Sequence, residues 1–136
     1  NPIESAVKGK RVVMTDDSIV RGTTIANIVR MLRQAGALEV HVRISSPPFL
    51  FPCYYGTDVP SMDKLIARKY TIDEICEKIG ADSLGYLDVN SLPAMLGLPK
   101  TAASDKCYCD ACFAGDYPNA DTGIDLLNGG GEKLEK

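Results

Sequence analysis

VVMTDDSIVRGTT, from Val12 to Thr24, is the stretch on which the fold turns. With Arg11 in front, its first part reads RVVMT to Thr15, a short apolar run that stops at Asp16 and Asp17. Such a run predicts a strand buried on both faces of a parallel sheet. After a loop containing Gly22, apolar residues recur at Ile25, Ile28, Val29, Leu32 and Ala35, with Gly36 just beyond. That spacing predicts an amphipathic helix from Thr23 to Ala35, stopped by the glycine.

Working outward, Glu39 to Ser46 (EVHVRISS) alternates Val40, Val42 and Ile44 with polar residues, which predicts a second strand with one face buried. Strand, helix and strand then form one right-handed parallel crossover, the unit of an α/β fold. Pro47 and Pro48 end the strand, and the aromatic FLFPCYYG of Phe49 to Gly56 reads as a structured loop. A short helix is expected over Met62 to Lys69. Thr71 and Glu74 form a capping box for another helix, which runs to Ile79 before Gly80. Ser83 to Leu87 reads as a further short strand, and Asp88 to Leu96 contains a last short helix.

The order strand, acidic pair, glycine loop, helix collects chemistry at the carboxyl edge of the sheet, where open α/β sheets bind ligands. First-turn N–H groups of a helix are unpaired and carry partial positive charge, so Arg21 to Thr24 can wrap a phosphate, with the Thr23 and Thr24 hydroxyls as further donors. Gly22 lets the backbone come close. Asp16 and Asp17 would repel that phosphate, but they suit the vicinal hydroxyls of a ribose or a hydrated Mg²⁺ beside it. The bland alternative is that the aspartates cap the sheet edge and Thr23 caps the helix.

The whole string decides between these readings. VVMTDDSIVRGTT closely resembles the phosphoribosyl pyrophosphate (PRPP) motif of type I phosphoribosyltransferases, and DDSIVRGTT is similar to the form found in the glutamine phosphoribosylpyrophosphate amidotransferase family. The resemblance implies an α/β fold comprising the C-terminal part of a type I phosphoribosyltransferase fold, a parallel sheet flanked by helices. Asp16 and Asp17 would take part in Mg²⁺ and ribose binding. Ser18, Ile19, Val20, Arg21, Gly22, Thr23 and Thr24 would hold the 5′-phosphate. The implied reaction is the first committed step of purine synthesis, in which PRPP, glutamine and water give 5-phosphoribosylamine, glutamate and pyrophosphate.

Cys109 and Cys112 stand in KCYCDACF as C-x-x-C, a spacing shared by dithiols, zinc half-sites and iron-sulfur half-sites. Spacing alone leaves all three open. One branch of the amidotransferase family carries a structural [4Fe-4S] cluster, and PCYYG around Cys53 together with CDACFAGDYP around Cys109 and Cys112 resembles that branch. The resemblance implies three cluster ligands here, Cys53, Cys109 and Cys112, and a fourth upstream of Asn1. Cys107 reads as a bystander, and Cys76 as a core residue on the apolar side of its helix with Ile72, Ile75 and Ile79.

A chain of 136 residues, 45% hydrophobic and 24% charged, has the bulk properties of a globular domain. Its net charge of −3 gives no electrostatic reason to expect nucleic acid or an anionic membrane as partner. No apolar run reaches the roughly 20 residues of a membrane span, and the five cysteines do not form an even disulfide framework. These features suggest the cytoplasm. The expected organisation is a phosphoribosyltransferase part over residues 1–96, a cysteine-containing irregular segment over 97–118, and a flexible tail over 119–136. Asn1 in place of methionine suggests part of a longer polypeptide, inactive alone, whose glutaminase step uses no residue of this chain and whose intact form is a homo-oligomer. His41 shares a strand face with Glu39 and Arg43, away from the strand end, and Lys8, Lys10 and Arg11 read as a solvated face. Ser61 to Lys69 is similar to a family segment and is assigned no chemistry. Two readings from other classes compete: a PRPP-sensing purine regulator without turnover, and a small zinc-binding interaction domain.

Overall fold

The computed structural model describes residues 4–57, 59, 61–98 and 108–117. The expected tail over 119–136 and Cys107 therefore lie outside the described residues. In chain order the elements are α1 (Glu4–Val7), β1 (Arg11–Asp16), α2 (Thr23–Gln34), β2 (Glu39–Ile44), α3 (Ile66–Lys69), α4 (Ile72–Ile79), β3 (Ser83–Tyr86), α5 (Leu92–Met95) and α6 (Ala111–Ala114). Short 3₁₀ turns at Met62–Lys64 and Val89–Ser91 precede α3 and α5.

The three strands form one parallel sheet in the order β1-β2-β3. Arg11 pairs with Glu39 and Asp16 with Ile44, so the carboxyl ends of β1 and β2 finish level. Val40, Val42 and Ile44 are buried on one face of β2 and pack with Ile25 and Val29 of α2 and with Ile75 and Ile79 of α4. The alternating strand and the helical stripe thus meet in one apolar core, as their periodicities predict.

β1 is not buried on both faces. Its residues alternate between exposed and half-buried, and Val13 is 64% exposed, because β1 is an edge strand whose second face no described element covers. That open face is polar on β2 and β3. His41 bridges Ser83 Oγ (2.8 Å) and Glu39 Oε2 (2.9 Å), and Glu39 also accepts from Arg11 (2.5 Å). His41 therefore shares its face with Glu39, in a hydrogen-bonded chain remote from the sheet's carboxyl edge.

The capping box is present in full. Thr71 Oγ1 accepts from the Glu74 N–H, and the Glu74 carboxylate accepts from the Thr71 N–H at 2.7 Å. Met62 to Lys69 is two pieces rather than one helix, since Leu65 between them is extended and fully buried, with Phe49 and Val59. Burying Leu65 overrides a continuous helix. Ile72 is also exposed, at 45%, because α4 presents Ile75 and Ile79 to the core and carries Ile72 round to solvent. Cys76 is half-buried and donates to the Ala81 carbonyl at 3.3 Å, which supports a packing role.

Candidate functional site

The loop between β1 and α2 is fixed at both ends by packing. Ile19 is 2% exposed and joins the main core, and Val20 packs against the smaller cluster of Phe49, Val59 and Leu65. The Val20 carbonyl accepts from the Ile66 N–H at 2.9 Å, tying the loop to α3. The Ile19 and Val20 side chains are thus anchored in the two apolar clusters. Gly22 is the N-cap of α2 in the left-handed region (φ 82°), and no side chain caps the helix. Thr23 begins the helix rather than capping it, which leaves its hydroxyl available.

Asp16, Asp17, Ser18, Ile19, Val20, Arg21, Gly22, Thr23 and Thr24 line one cavity of about 620 Å³ together with Ile25. All nine residues expected to bind substrate are therefore brought together. Asp16 Oδ1 accepts the Asp17 N–H at 2.9 Å, and Ser18 Oγ donates to Asp17 Oδ1 at 3.3 Å. Neither aspartate forms an ion pair among the described residues, so both carboxylates retain lone pairs for a ligand or cation. The result is an anion-accepting helix start and an acidic pair opening on the same space.

Cys53 and Cys112 pack against the second apolar cluster, and Cys109 is exposed. Cys112 O accepts from the N–H groups of Leu50 and Phe51, both at 3.0 Å, and Phe113 stacks on Phe49 at 4.9 Å between ring centroids. These contacts dock α6 on the loop that carries Cys53. Tyr117 closes the assembly, donating to the Pro52 carbonyl at 2.6 Å and packing against Tyr54 at 5.2 Å. Burial pushes the Cys53 thiol up, but hydrogen bonding from Tyr55, Thr57 and Gly56 outweighs it and holds the thiol below its ordinary value. Burial, with Cys53 nearby, pushes Cys112 up to about 11. Among the described residues, no three potential ligands stand close enough together to chelate one ion. Thiols are the right donors for iron and sulfide or for zinc, and the structure brings their segments together without forming a closed ligand set.

Two features escaped the sequence reading. Ile66 packs directly on Gly22, and Lys64, Lys69 and Lys78 converge beside Arg21. Both depend on how α3 and α4 fold back on the loop, which no local pattern encodes.

Parallel sheet, flanking helices and acidic-pair loop together define an α/β unit of the phosphoribosyltransferase type. The comparisons narrow the class. The chain is 48% identical over 135 residues to amidophosphoribosyltransferase 1, chloroplastic, of Arabidopsis thaliana, covering 99% of this chain and 23% of that one. It is 51% identical to the amidophosphoribosyltransferase of Bacillus subtilis over 85% of this chain and 24% of that one. The solved B. subtilis glutamine PRPP amidotransferase, complexed with ADP and GMP, superimposes with a TM-score of 0.75 at 52% identity, over 85% of this chain and 25% of that one. No family model matches. The chain is a homologue of the amidophosphoribosyltransferases, and it spans about a quarter of the length of the curated relatives it matches. No described helix is long and apolar enough to cross a membrane.

Proposed function

We propose that this chain supplies the PRPP and Mg²⁺ site of an amidophosphoribosyltransferase acting at the first committed step of purine synthesis. The whole reaction would convert PRPP, glutamine and water to 5-phosphoribosylamine, glutamate and pyrophosphate. The observation that carries the reading is the shared cavity of Asp16 to Thr24, with carboxylates at one end and a helix start at the other.

In this reading the backbone of Ser18 to Gly22 and the hydroxyls of Thr23 and Thr24 grip the 5′-phosphate. Asp16 and Asp17 hold the ribose hydroxyls, which fixes the sugar relative to the attacking ammonia. Their negative charge also favours the positive character that develops at the anomeric carbon as pyrophosphate departs. Two carboxylates with open lone pairs suit Mg²⁺, a cation that keeps most of its water and shares the remainder with substrate phosphates. When bound, it would neutralise charge on the leaving pyrophosphate. No residue of this chain is assigned to glutamine hydrolysis.

The proposal extends to Cys53, Cys109 and Cys112 as three ligands of a structural [4Fe-4S] cluster, supported by the docking of α6 on the Cys53 loop. Residues 1–96 then form the phosphoribosyltransferase part and 97–118 the cluster segment, within a homo-oligomeric enzyme. Free thiols suit a reducing compartment, whether the cytoplasm or the chloroplast after which the plant relatives are named.

Titration with ribose 5-phosphate, followed by backbone amide shifts, tests the phosphate grip. Saturable shifts that include Asp16 to Thr24 are expected. Shifts elsewhere with this loop unmoved would remove the basis of the reading.

A further inference from the structure

A second cavity, of about 320 Å³, shares Arg21, Gly22 and Thr23 with the first and extends onto α3 and α4. Its charged lining comprises Arg21, Lys64, Lys69 and Lys78, with no carboxylate among the lining residues. None of the four cations forms an ion pair among the described residues. Asp63, which accepts from the Ser61 hydroxyl, lies close enough to feel Lys64 and Lys69, and Glu74, which closes the cap with Thr71, feels Lys78, but neither lines the cavity. Lys78 lies with its ammonium 3.9 Å from the centre of the Tyr70 ring, which holds it on the cavity wall. Asp63 and Glu74 offset part of the mutual repulsion of these cations from outside the cavity, and a multiply charged anion inside it would meet a lining charged with one sign only.

We propose that this cavity is a second anion site, one that takes a small molecule bearing a phosphate or diphosphate group. Three lysines act as mobile point charges with three donors each, which suits phosphate oxygens spread in three dimensions better than one planar carboxylate. Arg21 adds a fork on the loop side. The volume falls at the small end of ligand pockets, enough for a diphosphate or a compact sugar phosphate. The two cavities meet at Arg21 to Thr23, and Ile66 of the second is hydrogen-bonded to Val20 of the first. A ligand in either one therefore changes affinity for the other, by the same factor in both directions.

The site stands on the cations alone and does not need the PRPP reading to hold. Inorganic pyrophosphate titrated without Mg²⁺, with backbone amide shifts as the readout, separates the two. Saturable shifts at Lys64, Lys69, Tyr70 and Lys78 are expected alongside those of the loop. The exposed double substitution Lys69→Gln with Lys78→Gln should weaken the α3/α4 response about tenfold or more. Lys10→Gln, an exposed charge that lines neither cavity, should leave that response in place. Lys64→Gln alone provides the same reading, with a smaller loss, should the double variant fold poorly. Equal shifts with sodium chloride at matched ionic strength, or an α3/α4 dissociation constant unchanged by the lysine substitutions, would overturn the proposal. Failure of the PRPP reading shows separately, as silent Ser18 and Thr24 amides, which line the first cavity only, with α3/α4 responding.

Discussion

A methyl group placed on Gly22 would lie 2.8 Å from Ile66 Cδ1, and Gly22 itself sits at φ 82°. Two independent constraints therefore demand glycine where the phosphate loop enters α2. Gly22→Ala is expected to destabilise the fold by about 2 kcal/mol, combining left-handed strain with overpacking against a buried side chain. Urea unfolding measures the loss, and the same variant should bind ribose 5-phosphate more weakly because the loop must shift away from α3.

Asp82 fastens β2 to α2. Its carboxylate accepts the Val40 N–H at 2.6 Å and pairs with Arg33 at 2.5 Å. The Val40 hydrogen bond, followed by Arg33, holds the Asp82 carboxyl below its ordinary value. A carboxyl depressed in the folded state contributes stability above its unfolded pKa, about 4, and loses it as pH falls through the folded value. Chemical-denaturation midpoints should therefore drop on acidification below about pH 4. Asp82→Asn should lower the midpoint at neutral pH and flatten that acid limb.

The Tyr86 hydroxyl is buried without a hydrogen-bond partner among the described residues, and burial pushes its pKa up to about 12. Removing an unsatisfied polar atom while keeping the ring relieves a desolvation cost. Tyr86→Phe is thus expected to raise stability by about 1 kcal/mol in urea or thermal unfolding. A loss of similar size would show that the hydroxyl has a partner.

For the cysteines, anaerobic reconstitution with iron and sulfide should give the broad visible absorption of a cluster with matching iron content. Cys53→Ser and Cys112→Ser should each lower the bound iron. Stoichiometric zinc without iron, or iron binding indifferent to both substitutions, would contradict cluster ligation.

Much of this arrangement is written locally. Val40, Val42 and Ile44 alternate, Ile25 and Val29 recur at helical spacing, and Thr71 with Glu74 announces a cap; each is where its pattern puts it. The lining of the candidate cavity was legible for the same reason, since Asp16 to Thr24 is contiguous along the chain. What the sequence could not convey depends on partners distant along it. The apolar run of β1 does not reveal that its outer edge and one face are open, and Met62 to Lys69 does not announce that Leu65 is pulled into a core. The convergence of Lys64, Lys69 and Lys78 on Arg21 likewise appears only once α3 and α4 fold back.

Calorimetric titration of the chain with PRPP, with and without Mg²⁺, tests the central claim most directly. The account predicts saturable one-to-one binding that Mg²⁺ strengthens and that Asp17→Asn weakens about tenfold or more while the fold is retained, as judged by circular dichroism. Binding that is absent, or that is indifferent to both Mg²⁺ and Asp17, would contradict it.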